Sequence, residues 1–406
     1  MRKLFKEQPT GFPIKDKQLD FLPKEVVYCK RCVTSNQRPR IEFDEEGICN
    51  ACRFAEEKET MIDWDAREKE LKAVLDRHRS TDGSYDIIVP SSGGKDSGYV
   101  AHILKEEYGM NPLTVTWAPF LYTDIGRFNY DCFVHSGFDN IYFAPDGIAH
   151  RKLARIAFEC NGDAWDPFAW GQKAFAFQMA VKFQIPLIFY GENGEAEYGG
   201  SAKSKNKASE DINDWKELYF RHNGVDELAQ IGVECGVFEK DEIKEHTFDI
   251  YKAPKLEQIE KLGAEMHWFS YYKKWIPQEN YYYCVEHTDF VANDSRSEGT
   301  YTKYASLDDK TDGFHFWLGF LKFGMGRTTR DASMEVRQNH ITRDEAVALV
   351  KRYDGEFPKK YFADFLEYLD MPEEKFWEIA NRYRTPHLWE KDGDDWKLKH
   401  EVDFLD

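Results

Sequence analysis

The sequence predicts an α/β protein with a parallel sheet and helices on both faces of that sheet. From about residue 84, short apolar runs alternate with stretches at helical spacing, an order typical of parallel sheets. A loop rich in Gly and Ser separates the first of these runs from the first helix. The 406 residues, 42% of them hydrophobic, provide enough apolar material for two or three packed units.

The chain before the sheet divides into three parts. Residues 1–25 form an arm of mixed charge, and residues 26–56 form a module that holds two cysteine pairs. Residues 57–80 connect this module to the sheet. Within this connection, residues 65–78 place apolar side chains at helical spacing among charged ones, which predicts an amphipathic helix.

Five apolar runs are the predicted strands. The first four are flanked by Gly, Asp, Asn or Pro, which interrupt strands, and all five contain β-branched or aromatic residues. The runs are residues 85–90, 113–117, 140–143, 186–190 and 266–269. Ligands of such sheets bind beyond the carboxyl ends of the strands. The sheet and its helices are expected to form a domain over residues 81–290.

Two later segments have other characters. Residues 198–213 are rich in Gly, Ser, Lys and Asn, and follow the fourth predicted strand. They indicate a mobile loop over the strand ends, either a lid or a surface excursion without a role. Residues 291–406 are expected to complete the substrate site and, beyond residue 330, to form a small helical unit of amphipathic segments.

Charge and hydropathy exclude several classes of protein. The chain has 55 Lys and Arg against 73 Asp and Glu, and the net charge of −18 repels a polyanion unless a local basic strip opposes it. The first twelve residues lack the apolar region and cleavage site of a secretory signal. The longest apolar runs are too short to cross a bilayer. We therefore expect a cytoplasmic protein that binds neither nucleic acid nor membrane.

The loop after the first strand has the composition of a phosphate-binding site. Small residues let its backbone N–H groups turn inward, and the following helix adds positive partial charge at its N-terminus. Its residues are Ser91, Ser92, Gly93, Gly94, Lys95, Asp96 and Ser97. The pattern is not a Walker A loop, because position 89 is Val and Asp96 separates Lys95 from Ser97. Lys95 and the loop amides would stabilise the negative charge of a phosphate bound there.

Four cysteines form a candidate metal site. Cys29 and Cys32 are separated by two residues, as are Cys49 and Cys52, and sixteen residues lie between the pairs. Four thiolates at this spacing can surround Zn²⁺ tetrahedrally, which predicts a structural zinc knuckle. An iron–sulfur cluster and disulfide bonds are the alternatives. The remaining cysteines are scattered and are expected to be buried; none lies on the glycine-flanked elbow of a class I glutaminase nucleophile.

Further candidates lie after the fourth strand and in the C-terminal part. Carboxylates in residues 191–200 could hold Mg²⁺ or accept hydrogen bonds from a sugar or from ammonia. Glycine-spaced basic residues suit an anionic group on ATP or substrate. The candidates for nucleotide binding are Trp117, Gly191, Glu192, Asn193, Lys303, Lys322 and Arg327. The candidate catalytic residues are Lys95, Asp96, Glu195, Glu197 and His315.

Several of these segments resemble known families. Residues 92–97 resemble the SGGxDS loop of the PP-loop ATP pyrophosphatases at every position. Together with YCKRCVTSNQRPRIEFDEEGICNAC, YGENGEAEYGG, EGTYTKYASLDDKTDGFH and KFGMGRTTRDASMEVRQNHITRDEA, they resemble the N-acetyl sugar amidotransferases of bacterial surface polysaccharide and nonulosonic acid biosynthesis.

The resemblance implies an enzyme that uses ATP to convert an acetamido group of a sugar into an acetamidino group. ATP would adenylate the amide oxygen, and ammonia would displace AMP. The implied ligands are ATP, Mg²⁺ and Zn²⁺. A glutaminase paired with a cyclase-like subunit would deliver the ammonia. The alternatives are a PP-loop tRNA thiolase, another adenylate-forming ligase of this fold, or a zinc-bearing assembly subunit without activity.

Overall fold

The computed structural model describes residues 1–16, 18–201, 203, 205–210 and 224–405. Within this part of the chain, five parallel strands form one sheet in the order β3-β2-β1-β4-β5. The strands are β1 (Ile87–Pro90), β2 (Pro112–Trp117), β3 (Asn140–Phe143), β4 (Leu187–Tyr190) and β5 (Glu265–Trp268). The predicted α/β class with a parallel sheet is therefore confirmed, and so are all five predicted strands.

The helices occupy both faces of the sheet and the C-terminal part of the chain. They are α1 (Asn50–Thr60), α2 (Trp64–His78), α3 (Lys95–Glu106), α4 (Asp124–His135), α5 (Gly147–Asn161), α6 (Asp166–Phe183), α7 (Gly194–Glu197), α8 (Gly224–Glu234), α9 (Leu256–Leu262), α10 (Phe269–Tyr272), α11 (Pro277–His287), α12 (Asp312–Phe323), α13 (Arg327–Arg337), α14 (Arg343–Tyr353), α15 (Phe362–Leu369) and α16 (Glu373–Arg382). A hairpin of β6 (Trp389–Asp392) and β7 (Asp395–Leu398) follows them.

Local capping explains where several helices begin. The Asp63 side chain accepts a hydrogen bond from the Ala66 N–H at 2.9 Å, which starts α2 one residue before the predicted 65–78 segment. Thr123 caps α4 in the same way through the Gly126 N–H. At α14, Thr342 and Glu345 form a reciprocal capping box. These caps satisfy backbone donors that the first turn of a helix leaves without a partner.

The sheet separates two hydrophobic cores. Ile88 and Ile188 face one core, in which α5, α6 and the C-terminal helices pack. Val89 and Phe189 face the other core, against α3 and α10. Alternate residues of each strand are thus buried on opposite faces, as a parallel sheet covered on both sides requires. This packing sets the carboxyl ends of β1 and β4 side by side.

A third, smaller core joins the four-Cys module (residues 26–56) to the C-terminal helices. The four cysteines share it with Ala332 and Val336 of α13 and Val347 of α14. α1 starts inside the module and extends to Thr60, beyond the predicted end of the module at residue 56. The module is therefore packed against residues that follow it by about 300 positions in the chain.

Part of the predicted loop at residues 198–213 is fixed against the sheet. The backbone N–H of Trp268 in β5 donates to the Ala208 carbonyl at 2.9 Å, and Ser209 forms a β-bridge with His267. Residues 202, 204 and 211–213 of that prediction lie outside the described residues. Among the helices that the structure describes, none has both the length and the apolar character needed to cross a membrane.

Candidate functional site

The phosphate loop (residues 91–97) turns sharply between β1 and α3. Gly93 has a φ of +85°, and a Cβ at this position would lie 2.5 Å from the Tyr130 Cα. Only glycine accommodates both the positive φ and the lack of space for a Cβ. The Ser91 hydroxyl donates to the Ser97 oxygen at 3.0 Å, and the Ser97 hydroxyl donates to the Gly94 carbonyl at 3.1 Å. These bonds tie the two ends of the loop together at the N-terminus of α3.

A first cavity of about 360 Å³ opens beyond the carboxyl ends of β1 and β4, at the position expected for ligands of such a sheet. Predicted site residues that line it are Ser92, Gly93, Gly94, Lys95, Asp96, Ser97, Gly191, Glu192 and Arg327. The first cavity is therefore enclosed by the phosphate loop, by the carboxyl ends of β1 and β4, and by Arg327 from the C-terminal part of the chain. Positive partial charge from the α3 N-terminus and the charges of Lys95 and Arg327 suit an anionic ligand there.

Lys95 and Asp96 form a charged pair in the first turn of α3. The Lys95 Nζ lies 2.5 Å from an Asp96 carboxylate oxygen. The other Asp96 oxygen accepts from the Asn280 amide at 3.1 Å, so α11 helps to orient this carboxylate. Asp308 adds a second carboxylate to the cavity, and burial raises its pKa, as does the charge of Asp312.

A second cavity of about 570 Å³ adjoins the first. Lys173, Glu192 and Trp268 line both cavities, so these three residues form a junction between them. The second cavity is rich in charge; its charged members are Asp16, Arg38, Arg40, Asp163, Asp166, Lys173, Glu192, Glu195, His315, Lys322, Arg330 and Arg337. They come from the N-terminal arm, the four-Cys module, α6 and the residues just before it, the segment after β4, and the C-terminal helices.

Ion pairs hold two of the predicted residues in this second cavity. His315 lies 2.7 Å from the Asp163 carboxylate. Burial lowers the pKa of His315, but the Asp163 charge outweighs that effect and the pKa is raised overall. The Lys322 ammonium lies 2.8 Å from Asp16 and donates to the Asn161 carbonyl at 2.6 Å. The charges of His315 and Lys322 are thus compensated where the two side chains line the second cavity.

Glu195 also lines the second cavity, at the edge formed by the four-Cys module. Its carboxylate pairs with Arg40 and accepts from the Ser201 N–H at 2.7 Å. Burial raises the pKa of Glu195, but the Arg40 guanidinium and this hydrogen bond bring it below the ordinary value. The carboxylate is therefore held in its charged form.

The junction contains one charged residue, Lys173, that sequence reasoning missed. The Lys173 Nζ lies 4.4 Å from the centre of the Tyr190 ring. Burial lowers the pKa of Lys173 to about 8, although Glu192 and Glu210 oppose that shift. A lysine inside the apolar sequence FAWGQKAFAF was the available signal. Glu192 was predicted; burial and the nearby Asp96 charge raise its pKa, while Arg330 at 3.9 Å lowers it.

Trp268 completes the junction, and it was not predicted either. Its indole ring is buried, and its N–H has no acceptor among the described residues. A buried donor without a partner is costly, so a ligand acceptor at this point would lower the free energy of the site.

The structure places five predicted residues outside the linings of both cavities. Ser91, the first residue of the phosphate loop, is buried, and Lys303 is exposed. Asn193 caps α7 by accepting from the Glu195 N–H at 3.1 Å. Trp117, only 4% exposed, packs in the core, where its indole lies over Gly171 and fills the space a Cβ there would need. The fifth residue, Glu197, forms a buried ion pair with Lys58 at 2.6 Å.

The four cysteines converge on one point. All four Sγ atoms lie within 4.8 Å of one another, and all four residues are buried. The Cys29–Cys52 and Cys32–Cys49 Sγ pairs are 3.9 and 3.8 Å apart. A tetrahedral zinc site with bonds of about 2.3 Å places its sulfurs about 3.8 Å apart. The cluster could therefore hold a metal such as zinc. The structure does not support the disulfide alternative, because none of the eight cysteines forms a disulfide bond in it.

Backbone donors already surround one of these sulfurs. The Cys29 Sγ accepts from the N–H groups of Arg31 at 3.4 Å, Cys32 at 3.5 Å and Cys49 at 3.3 Å. Such donors stabilise thiolate charge and orient metal ligands. The donor set therefore fits a metal centre rather than four packed thiols.

Fold and site together define an α/β protein that has a glycine-rich loop at its strand ends and a cluster of four buried cysteines beside a second, charged cavity. Residues 298–402 match the family model of the C-terminal domain of WbpG-like LPS biosynthesis proteins. This match covers about a quarter of the chain and supports a relation to the LPS biosynthesis family.

A further similarity concerns a shorter stretch. An uncharacterized protein of Methanocaldococcus jannaschii is 33% identical over 92 residues, which are 21% of this chain and 31% of that relative. The similarity thus spans less than a third of the relative's length.

Proposed function

We propose that the protein is an ATP-dependent amidotransferase of LPS biosynthesis, which converts the acetamido group of an N-acetyl sugar into an acetamidino group. The observation that supports this most is the junction of the two cavities at Lys173, Glu192 and Trp268. A phosphate loop in one cavity and a polar second cavity next to it suit a reaction between ATP and a polar substrate. The C-terminal match supports the LPS setting.

The proposed reaction has two steps. The amide oxygen of the sugar attacks the α-phosphorus of ATP, and the bond to pyrophosphate breaks. The resulting imidate ester of AMP is then attacked at carbon by ammonia, and AMP leaves with the former amide oxygen. The logic is that an amide oxygen is a poor leaving group, whereas AMP is a good one. Since ammonium must lose a proton first, a base near the junction is required.

The phosphate loop and its neighbours would serve the first step. Loop amides and Lys95 would bind the departing phosphates, and Arg327 would approach them from α13. Asp96 and Asp308 line the first cavity and offer the carboxylate oxygens that Mg²⁺ prefers. Mg²⁺ bound there would offset the charge of the phosphates.

Residues at the junction would serve both steps. Lys173 reaches both cavities and would stabilise charge on the phosphoryl group that is transferred. Glu192 reaches both cavities too, and its raised pKa suits a group that accepts a proton from ammonium. In the second cavity, Asp163, Asp166 and His315 would hydrogen-bond the sugar hydroxyls.

A tRNA thiolase would need a reactive cysteine near the strand ends. Cys284 is near the phosphate loop, and its Sγ donates to the Lys95 carbonyl at 3.0 Å. It is fully buried behind α3, and burial raises its pKa to about 12. A thiol of this kind is a poor nucleophile. This observation favours amidotransfer, for which we propose that a glutaminase and a cyclase-like partner supply the ammonia.

The first experiment is a reaction of the purified protein with ATP, Mg²⁺, ammonium chloride and a panel of acetamido sugars, free and nucleotide-linked. Mass spectrometry should show one sugar that becomes lighter by about one mass unit and gains a basic group. AMP and pyrophosphate should form in step with it. AMP without the mass change would instead indicate another acceptor or nucleophile, and would contradict the amidine product.

A matched pair of variants links this activity to the junction. Lys173→Met should lower the rate of AMP formation by at least about 100-fold, because loss of one preorganised charge costs roughly that factor. Lys182→Met removes an exposed lysine of the same helix and should leave the rate unchanged. Equal rates in the two variants would remove Lys173 from the proposed mechanism.

A further inference from the structure

The acid-rich segment (residues 191–200) is held in place from the four-Cys module. It follows β4 and carries Glu192 at the junction and Glu195 at the edge of the second cavity. Side chains on or next to the module reach it at four points, in each case across more than 130 positions of the chain. The contacts are Arg38 to the Gly199 carbonyl, Arg40 to Glu195, Asn50 to the Gly200 carbonyl and Lys58 to Glu197.

Arg337 adds a fifth contact and ties the segment to the thiols themselves. This residue ends α13, is 4% exposed and lines the second cavity. One guanidinium nitrogen donates to the Glu197 carbonyl at 3.1 Å. The other lies 3.5 Å from the Cys32 Sγ and 3.9 Å from the Cys49 Sγ. One side chain thus touches both the metal-ligand atoms and the acid-rich segment.

The charge of Arg337 explains why this arrangement depends on thiolates. A buried guanidinium needs a negative partner, since an uncompensated buried charge is costly. Among the described residues, no carboxylate lies within 4.0 Å of Arg337, whereas the cysteine sulfurs do. Four thiolates around a divalent metal carry a net charge of about −2, which compensates the arginine. Neutral thiols would leave it without a counter-charge.

We propose that the four-thiolate centre positions the acid-rich segment for catalysis, with Arg337 as the positioning residue that connects the two. The centre is then more than a support for a separate small module, because its occupancy orders one wall of the reaction site. This inference rests on the proposed function for its activity readout alone. Its structural readouts, metal release and backbone exchange, are independent of which reaction the protein performs.

The test compares three variants of the full-length, zinc-loaded protein. Arg337→Met removes the charge and the hydrogen bonds, and Arg337→Lys keeps the charge. Arg53→Met is the control, because Arg53 lies on α1 next to Cys52 but pairs with Asp44 and other surface carboxylates, outside both cavities. Hydrogen–deuterium exchange of residues 191–200, zinc release to a chromogenic chelator and AMP formation are measured for each.

We expect Arg337→Met to raise exchange in the acid-rich segment roughly tenfold or more, as expected for loss of charge-assisted hydrogen bonds. The affected amides include those of Ala196, Glu197 and Tyr198, which are bonded within α7. Zinc release should accelerate, kcat for AMP formation should fall, and exchange in β1 and β4 should stay unchanged. Arg337→Lys should restore slow zinc release in part, and Arg53→Met should match the wild type.

Two results would overturn the proposal. One is exchange in residues 191–200 that stays at the wild-type level in Arg337→Met. The other is an equal rise in Arg53→Met. If Arg337→Met does not fold, the wild type treated with chelator replaces it, and Asn50→Ala is the second variant, since it loses only the bond to Gly200. Faster exchange in both keeps the proposal; unchanged exchange in both refutes it. Absence of any amidine product would overturn the proposed function without touching these readouts.

Discussion

Replacement of Gly93 by alanine tests whether the phosphate loop is built as described. At a φ of +85°, an alanine pays about 1–2 kcal/mol for its Cβ in the left-handed region. The Cβ would also lie 2.5 Å from the backbone of Tyr130 in α4, which no rotamer change relieves. Overpacking of this kind typically costs about 1–3 kcal/mol more. We therefore expect Gly93→Ala to reduce the free energy of unfolding by about 2–5 kcal/mol.

The neighbouring glycine provides the control. Gly94 has ordinary backbone angles, with φ of −73° and ψ of 153°, and the nearest atom to a Cβ there is the Ser92 Oγ at 3.5 Å. Gly94→Ala should change stability by less than about 1 kcal/mol. Urea titrations followed by circular dichroism measure both variants, and fluorescence titration with an ATP analogue reports on the loop. Equal unfolding midpoints for the two variants would refute the assigned loop geometry.

Three further predictions follow from buried groups. Glu197→Gln should reduce the free energy of unfolding by about 3 kcal/mol, because it leaves the Lys58 ammonium buried without its partner. A Lys58→Met/Glu197→Gln double variant should lose less free energy than the sum of the two single variants. A double-mutant cycle measured by urea unfolding tests both expectations. Since the pKa of Lys173 is lowered to about 8, its charged form is lost as pH rises through that value, and ATP–pyrophosphate exchange measured without ammonium should fall above pH 8. The Lys173→Arg variant stays charged and should lack this fall. A fall at the same pH in Lys173→Arg would show that another group causes the pH dependence. Trp117→Ala should lower the free energy of unfolding by about 3–5 kcal/mol, because the indole fills the core. The folded variant should keep its KM for ATP, because Trp117 lines neither cavity. A rise in KM for ATP would instead support the nucleotide-binding role predicted from the sequence.

The position of the four-Cys module changes the interpretation of the cysteine motif. Spacing alone predicts a closed structural knuckle, and the Sγ distances agree with a centre of that kind. The structure adds that Thr34, Arg38 and Arg40, which lie between the two cysteine pairs, line the second cavity. Residues of this module therefore form part of the wall of the second cavity, as residues of the C-terminal helices do.

Much of the fold was predictable from the sequence because its signals are local. Strand runs, helix periodicity and the glycine loop depend on residues within a few positions of one another. The five strands are accordingly found within two residues of their predicted bounds. The cysteine motif is local in the same sense, since two pairs with short spacing suffice to predict convergence.

The site was only partly predictable, for the opposite reason. Lys173 lies in a mostly apolar stretch of α6, and nothing near it in the chain indicates that its ammonium reaches the strand ends. Trp117 stands at the end of a strand, where ligands bind, but every residue of β2 is buried, and the space beside Gly171 accepts its ring. The direction of a side chain at a strand end depends on which helices and loops pack against that end of the sheet.

The sequence by itself determined the α/β class, the phosphate loop and the four-thiolate cluster, because backbone preference and short spacing decide each of them. Only the tertiary structure decided which distant groups share a cavity. Lys58 meets Glu197 across 139 positions, and Arg337 meets Cys32 across 305. Such contacts arise when separate helices and strands bury their apolar faces against a common core. Packing then brings charged side chains from distant positions together, and no local sequence pattern indicates which ones will meet.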